Sequence, residues 1–539
     1  MNFTSSHWTL NRRSVLSILA FCLSFFILFL SFPKFSLPVQ PQDEGILLIY
    51  PELILKGFMP NRDFATMYPP GNFWLLALAY SVFEPSVLVE RSVGFLYILA
   101  IVLGVFFLST RFRLSIAVIS AVVSCIILKI FPTFGAFSWF GGAALALWSL
   151  VIAARASLSD NDGCRTVLSL ASGVLSGAGI LFRIDLVMVT VLSSITVLGF
   201  ARKRNLHAYI LGFAVALTPL IVHTFRASFG IVFDNLVLDV WRIGPGRKLP
   251  LNIKQPEVLI VFLSGILTFI IGLSSFIKNR NSGSRLLFGI GIFAIGLLPQ
   301  AVQRADTWHL VYVGCITVPL FVSVISEAFG SRMIKLLNIA KGINCCPELQ
   351  KKTPVFIKYA LVIVVGSALT YWGVNALGRP LWWRLSQHMG SAGESGRFVV
   401  SNGRVVPVKS DRVADTQSLI DEVHELATPG EALFVGPGDL SRTNYADSFL
   451  YFMFPELKPA SYYLEMNPGS ANRSGSRLAT DIEKADIVIL NKRYDSWDEK
   501  NKSKSTGALE PLRIVQSQFC FHSAIGTYVL LTRCGMSKK

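Results

Sequence analysis

The sequence predicts a mainly α protein: a polytopic bundle of about 11–13 transmembrane helices, followed by a small extracytoplasmic α/β domain at the C-terminal end. Three observations predict it. First, of 539 residues 52% are hydrophobic and only 15% charged, with a positive mean hydropathy, whereas a soluble domain carries roughly a quarter charged residues. Second, the net charge of +17 is unevenly placed. Residues 378–539 hold 20 Lys/Arg against 18 Asp/Glu, so residues 1–377 carry a net +15. That excess lies in short loops between apolar runs, which is the positive-inside pattern of a membrane protein and not a nucleic-acid footprint. Third, uncharged runs of bilayer length recur along the first 378 residues. So much apolar area excludes disorder, and 8 Cys in 539 residues exclude a disulfide-stapled scaffold.

A helix needs about 20 apolar residues to cross a bilayer. Runs free of Lys, Arg, Asp and Glu occupy 14–33, 64–83, 92–110, 114–128, 130–154, 166–182, 186–201, 205–225, 258–277, 286–303, 307–326 and 359–378. The first follows Arg12-Arg13 but has no small-residue cleavage site, so it is expected to remain as a span. Basic loops set the orientation. Arg111 and Arg113, Arg155 and Arg165, Arg202-Lys203-Arg204, the Lys278–Arg285 turn and the basic stretch 329–358 fall inside. The segments 34–63, 183–185, 227–256, 302–308 and the whole tail fall outside. An inside N-terminus and an outside C-terminus need an odd number of crossings, yet the twelve runs are even in number. The weakest run is 64–83, which contains Tyr68-Pro69-Pro70-Gly71. Either it does not cross fully or a span is missing within 114–154.

The tail changes in character. Ser418–Leu426 reads as helix, and Ala432–Gly436, Asp486–Leu490 and Thr527–Thr532 read as strands separated by Gly and Pro, which suggests a small α/β unit. Ser496–Gly507 is polar and reads as an exposed loop. Cys520 and Cys534 flank a hairpin centred near Ser523–Gly526 that would not pair them directly, so they are expected to stay unpaired.

The residues with chemical potential gather in the outer segments. After the first run come Asp43 and Glu44, two adjacent acids beside a membrane helix, where ionisable groups tend to be functional; the bland alternative is a wet loop with ordinary surface acids. An amphipathic stretch then leads to Gly57-Phe58-Met59-Pro60-Asn61-Arg62-Asp63-Phe64, to Tyr68-Pro69-Pro70-Gly71, and on to Arg91. Arg183 and Asp185 stand between two short runs. Arg304, Asp306 and His309 form a short turn between two long ones, where a helix-ending salt bridge competes with phosphate binding and a lone His is more often structural. The loop 227–256 carries Trp241 beside Arg242, with Arg247 and Lys248 further on. It reads equally as an interfacial anchor and as a lipid-phosphate groove. Gly173 and Gly177 are spaced for helix packing.

The arrangement over about residues 40–95 resembles the C-type integral membrane glycosyltransferases, among them the protein O-mannosyltransferases and the transferases that add aminoarabinose to lipid A. Over 96–378 the resemblance is one of topology, and the tail carries no family motif. The resemblance implies an enzyme that takes a sugar from a polyprenyl-phosphate donor and passes it, with inversion, to a glycan, lipid or protein acceptor at the outer membrane face. It makes Asp43, with Glu44 beside it, the match to the general base. A carboxylate there can accept the acceptor hydroxyl's proton, while the departing lipid phosphate needs cations. Arg304, Arg183 and Arg242 are the expected phosphate-binding groups. Arg62, Asp63, Tyr68, Asp185, Asp306 and His309 are expected around the substrates. No cofactor is required on this reading, although Asp43, Glu44 and Asp63 together offer a divalent metal. Residues 1–378 then form the transferase module, with its outer catalytic loop at 34–70, and 379–539 the outer domain of a plasma-membrane protein. The competing reading is a transporter or flippase, which would place ionisable groups near the bilayer midplane.

Overall fold

A computed structural model describes residues 32–199, 203–342 and 398–535. Seven of its helices are long and apolar enough to cross a membrane: α3 (Val87–Ser109), α5 (Ser138–Leu158), α6 (Asp162–Phe182), α8 (Lys203–Ala227), α10 (Pro256–Asn279), α11 (Ser282–Gln303) and the Thr307–Ala328 part of α12 (Thr307–Gly342). Local chemistry sets where several of them begin. The side chains of Ser86, Asn161 and Asn281 accept the otherwise unpaired N–H of Val89, Cys164 and Ser284 at the starts of α3, α6 and α11. Two shorter helices, α4 (Leu114–Lys129) and α7 (Val187–Leu198), run between the same two ends.

The parity conflict resolves at residues 64–83. Only Gly71–Val82, α2, is helical there. Gly71 lies against Leu181 near the C-terminal end of α6. Just past α2, Glu90 accepts from the Ala136 N–H, and Arg91 reaches Glu44 in α1 (Asp43–Leu55). Both ends of α2 therefore sit at one end of the bundle. The remaining helices then alternate, bringing 34–63, 130–137, 183–186, 228–255 and 304–306 to that end. The runs 14–31 and 359–378, with the stretch 343–358, lie outside the described residues; counting those two runs as spans makes the number of crossings odd.

Close helix contacts follow from small residues. A Cβ on Gly173 would lie 2.0 Å from the Tyr209 carbonyl oxygen, and one on Gly177 2.6 Å from that of Phe213, so the Gly-xxx-Gly spacing seats α6 on α8.

The C-terminal domain holds a five-stranded sheet in the order β4-β3-β5-β7-β6, from β3 (Ala432–Pro437), β4 (Lys458–Pro459), β5 (Ile487–Asn491), β6 (Phe519–Ile525) and β7 (Tyr528–Arg533). β3 is parallel to β4 and β5, and β7 is antiparallel to β5 and β6. Every residue of β5 is buried, as a central strand covered on both faces requires. A separate hairpin, β1 (Phe398–Ser401) and β2 (Arg404–Pro407), precedes α13 (Val413–Leu426).

Two expectations for the tail are corrected. Cys520 and Cys534 form a disulfide with Cα atoms 5.0 Å apart. A register shift between Phe521 and Ser523 sets Cys520 opposite Thr532, so Cys534, two residues on, lies diagonally across on the same face. The polar stretch 496–507 is not simply an exposed loop, because Glu499 pairs with Arg304 and Ser503 is buried.

The domain rests directly on residues 39–65. Phe449 donates its N–H to Pro41 O, Ala65 to Tyr462 O and Val39 to Pro407 O, at 3.1, 2.7 and 2.8 Å. Arg404 pairs with the buried Glu52 at 2.7 Å. Gly45 permits this approach, since a Cβ there would stand 2.5 Å from Phe449 N. Gly45→Ala is expected to cost about 1–3 kcal/mol through overpacking. Faster proteolytic release of the C-terminal domain is the measurement that checks it.

Candidate active site

The first turn of α1 carries Asp43 and Glu44, where two acids meet the positive end of the helix dipole. Their side chains have opposite fates. Glu44 is 1% exposed and fully engaged. Its carboxylate takes Arg91 Nε at 2.9 Å and Nη2 at 3.1 Å, Thr133 Oγ1 at 2.7 Å and the Gln40 N–H at 2.7 Å. Arg91, also buried, spends its remaining nitrogen on the carbonyls of Lys34, Phe35 and Leu37. This pair straps the chain before α1 to α3 and leaves Glu44 no free oxygen for a substrate.

Asp43 is solvent-exposed and its carboxylate makes no hydrogen bond or ion pair among the described residues. Protein nevertheless crowds around it. Desolvation is the strongest influence on it and raises its pKa; Arg247, Arg304 and His309 pull it down, and Glu44 adds an upward push. Three cationic or protonatable groups from two other segments at the same end of the bundle thus converge on this acid.

Arg247 ends α9 (Asp239–Arg247). Its Nε donates to Asn467 Oδ1 at 3.0 Å, and its Nη2 to Asn467 Oδ1, Asn444 O and Met466 O at 2.8, 2.6 and 3.1 Å. The guanidinium lies 4.1 Å over the Tyr445 ring. No carboxylate pairs with it, and Nη1 has no partner among the described residues. Arg304 is more heavily used. It pairs with Asp306 at 2.6 Å and with Glu499 through two nitrogens, and it donates to Arg247 O at 2.9 Å. Asp306 caps α12, accepting from the His309 N–H at 3.0 Å and facing its Nδ1 at 2.7 Å. Burial works to raise the Asp306 carboxyl, but hydrogen bonds and charge from His309 and a bond from Arg304 bring it down to about 2.

Tyr68 and Arg183 complete the near wall. Arg183 holds Asp185 with two bonds of 2.9 and 2.7 Å, reaches Gln300 at 3.0 Å and lies 5.5 Å over the Tyr68 ring. Burial and the charge of Glu465 raise the Tyr68 hydroxyl, and Asp43 also acts on it. Tyr312 of α12 stacks on Trp139 at 5.1 Å, beside Phe140 and Phe131, so aromatic rings line the bundle side.

The structure separates other sequence candidates from this cluster. Arg242 does not face Asp43, because Asp234 and Asp239 hold it at 2.8 and 2.9 Å; Arg247, five residues on, takes the position expected of it. Arg62 pairs with Asp63 at 2.7 Å and is 46% exposed, and Asp63 accepts from the Met59 N–H at 2.7 Å. Both shape a surface turn. The metal set offered by Asp43, Glu44 and Asp63 does not assemble, since Glu44 and Asp63 are each committed to an Arg. Among the described residues no group of three His, Cys, Asp or Glu side chains converges as metal ligands.

One participant came with no sequence signal. Glu465, in a loop of the C-terminal domain, is 8% exposed. Burial pushes its carboxyl up to about 7; the charge of Asp43 reinforces this and that of Arg247 opposes it.

The chain has the fold of the C-type integral membrane glycosyltransferases. ArnT from Cupriavidus metallidurans, solved bound to undecaprenyl phosphate, matches with a TM-score of 0.55 at 14% identity over 97% of this chain and 99% of that one. Its apo state matches with a TM-score of 0.55 at 13% identity, over 97% and 98%. The oligosaccharyltransferase of Archaeoglobus fulgidus in the apo form matches with a TM-score of 0.50 at 12% identity, over 99% of this chain and 76% of that one. At these identities the likeness is one of fold. No family model and no curated protein sequence matches the chain.

Proposed function

We propose that the chain is an inverting glycosyltransferase that moves a sugar from a polyprenyl-phosphate carrier to an acceptor hydroxyl at the outer face of the membrane. The observation that carries this reading is the unpaired, solvent-reached carboxylate of Asp43 beside the unneutralised guanidinium of Arg247. The two groups suit the two ends of one displacement. The acceptor oxygen attacks the anomeric carbon as its proton passes to Asp43. The bond from that carbon to the phosphate oxygen breaks on the opposite side, and the phosphate leaves with the electron pair. Arg247 Nη1 is placed to meet the developing charge, with Arg183 across the cleft. Arg304 reinforces the field while its own bonds go to Asp306 and Glu499. Glu44 acts by position only, fixing the turn from which Asp43 projects.

The neighbour's undecaprenyl phosphate supports a polyprenyl-phosphate carrier. A transporter would place its ionisable groups near the midplane; here Asp43, Arg183, Arg247, Arg304 and Glu465 gather at one end of the bundle. The proposal is tested by undecaprenyl phosphate binding to the purified protein. Arg247→Ala is expected to weaken binding about 10- to 100-fold, the loss of charge-assisted hydrogen bonds to phosphate. Arg242→Ala, whose guanidinium two acids already neutralise, is expected to leave affinity within about twofold. Equal affinities in wild type and Arg247→Ala would refute this phosphate site.

A further inference from the structure

The stretch that carries Glu499 is built against two guanidinium groups at this end of the bundle. Arg304 Nη1 donates to the Arg247 carbonyl at 2.9 Å and to Glu499 Oε2 at 3.0 Å, and its Nη2 donates to Glu499 Oε1. Asn501 donates its side-chain N–H to Glu499 Oε2 at 2.8 Å, so a second residue holds this carboxylate in place. Two residues before Glu499, the Trp497 ring stands edge-on to that of Tyr445 at 4.8 Å, and the Arg247 guanidinium lies 4.1 Å over the same Tyr445 ring. Arg247 and Arg304 are therefore neighbours through both backbone and rings. Their charges are balanced differently. Asp306, at 2.6 Å, and Glu499 set two carboxylates on Arg304, whereas no carboxylate pairs with Arg247 among the described residues. The side chains of Arg304 and Glu499 are only 16% and 12% exposed, so solvent screens this pair less than a surface ion pair.

We propose that Glu499 is a specificity-determining positioning residue: by holding the paired nitrogens of Arg304, it limits the site at Arg247 to a carrier with one phosphoryl group and rejects a polyprenyl diphosphate. The inference rests on the glycosyltransferase reading and deepens it. A carboxylate bound across Nη1 and Nη2 takes the fork that would otherwise bind a phosphoryl group in the same bidentate way. A monophosphate needs one free guanidinium edge and finds it at Arg247. The second phosphoryl group of a diphosphate brings further negative charge and needs a second edge. Arg304 is the adjoining guanidinium, and there the incoming group meets the Glu499 carboxylate, a like charge. The preference is set by repulsion of the wrong ligand more than by added attraction for the right one. With a neutral side chain at position 499, the same edge of Arg304 becomes a second phosphate seat.

The test measures the affinities of the full chain for undecaprenyl phosphate and undecaprenyl diphosphate in wild type, Glu499→Gln and the double variant Arg304→Gln/Glu499→Gln. Glu499→Ala serves where Gln disturbs the contact with Asn501. Wild type is expected to bind the monophosphate more tightly than the diphosphate. Glu499→Gln is expected to bind the diphosphate about 10- to 100-fold more tightly than wild type does, the gain from charge-assisted hydrogen bonds to a freed guanidinium. The monophosphate should gain less than about fivefold from the altered field. The double variant keeps the net charge of the site and removes the fork, so its diphosphate affinity should return to within about threefold of wild type. A merely structural role for Glu499 would weaken both ligands together and leave their ratio unchanged. An unchanged ratio in the single variant, a gain that persists in the double variant, or a wild type that prefers the diphosphate would each overturn the inference while leaving the phosphate site standing. Wild-type protein that binds neither carrier would overturn the transferase reading itself.

Discussion

Asp43→Asn is expected to reduce sugar transfer by about 10²- to 10⁴-fold, the usual contribution of a positioned general base, while leaving the protein folded. The second half follows from geometry, since the Asp43 carboxylate makes no hydrogen bond or ion pair among the described residues and its loss breaks no contact. Undecaprenyl phosphate binding should survive or tighten, because an anion beside Arg247 and Arg304 has been removed. The base must be ionised to work. Desolvation by the surrounding protein raises its pKa and the neighbouring cations only partly offset this, so transfer should rise with pH along an acid limb lying above the ordinary carboxylate value of about 3.9. That limb should be missing from the residual activity of the variant. Near-normal transfer by Asp43→Asn would remove Asp43 from the role.

Arg91→Met is expected to destabilise the protein by about 3–5 kcal/mol, the cost of stranding a buried charge. Glu44 would lose both guanidinium nitrogens that hold it, and the carbonyls of Lys34, Phe35 and Leu37 would lose their common donor. The double variant Glu44→Gln/Arg91→Met removes the stranded charge and should recover part of the loss, with a clear coupling energy in a double-mutant cycle. Thermal unfolding in detergent measures both. A fall of under about 1 kcal/mol in Arg91→Met would mean that the pair is not the strap described above.

The bundle was legible because apolar runs of bilayer length have no cheap alternative to a helix in lipid. Loop charges placed nearly every segment on a consistent end. Tyr68-Pro69-Pro70-Gly71 marked the one run that does not cross, since two prolines interrupt helix over its first part. The three strand-like runs of the tail became β3, β5 and β7. The site was read less evenly. Asp43 stood out by its place after the first span, but nothing local separates it from Glu44; what separates them is Arg91, 47 residues further along. Arg242 and Arg247 share a loop and a charge, and only the fold shows that Asp234 and Asp239 consume the first. Cys520 and Cys534 looked misaligned because a bulge cannot be read from spacing. Glu465 and Glu499 carried no signal at all, since an isolated acid in a domain of mixed charge gains meaning only from what it faces.

The reach of Glu465, Asn467 and Tyr445 back to the first outer segment has a consequence for biogenesis. Groups more than 400 positions apart in the chain must meet before the cleft exists. During synthesis the helices can insert one after another with Asp43 in place and Arg247 still lacking its seat on Asn467 and Tyr445. The proposed site is therefore completed last, when the final quarter of the polypeptide closes over the beginning. A prematurely terminated chain would hold a nearly complete bundle without the completed site, so on the transferase reading it should be inert.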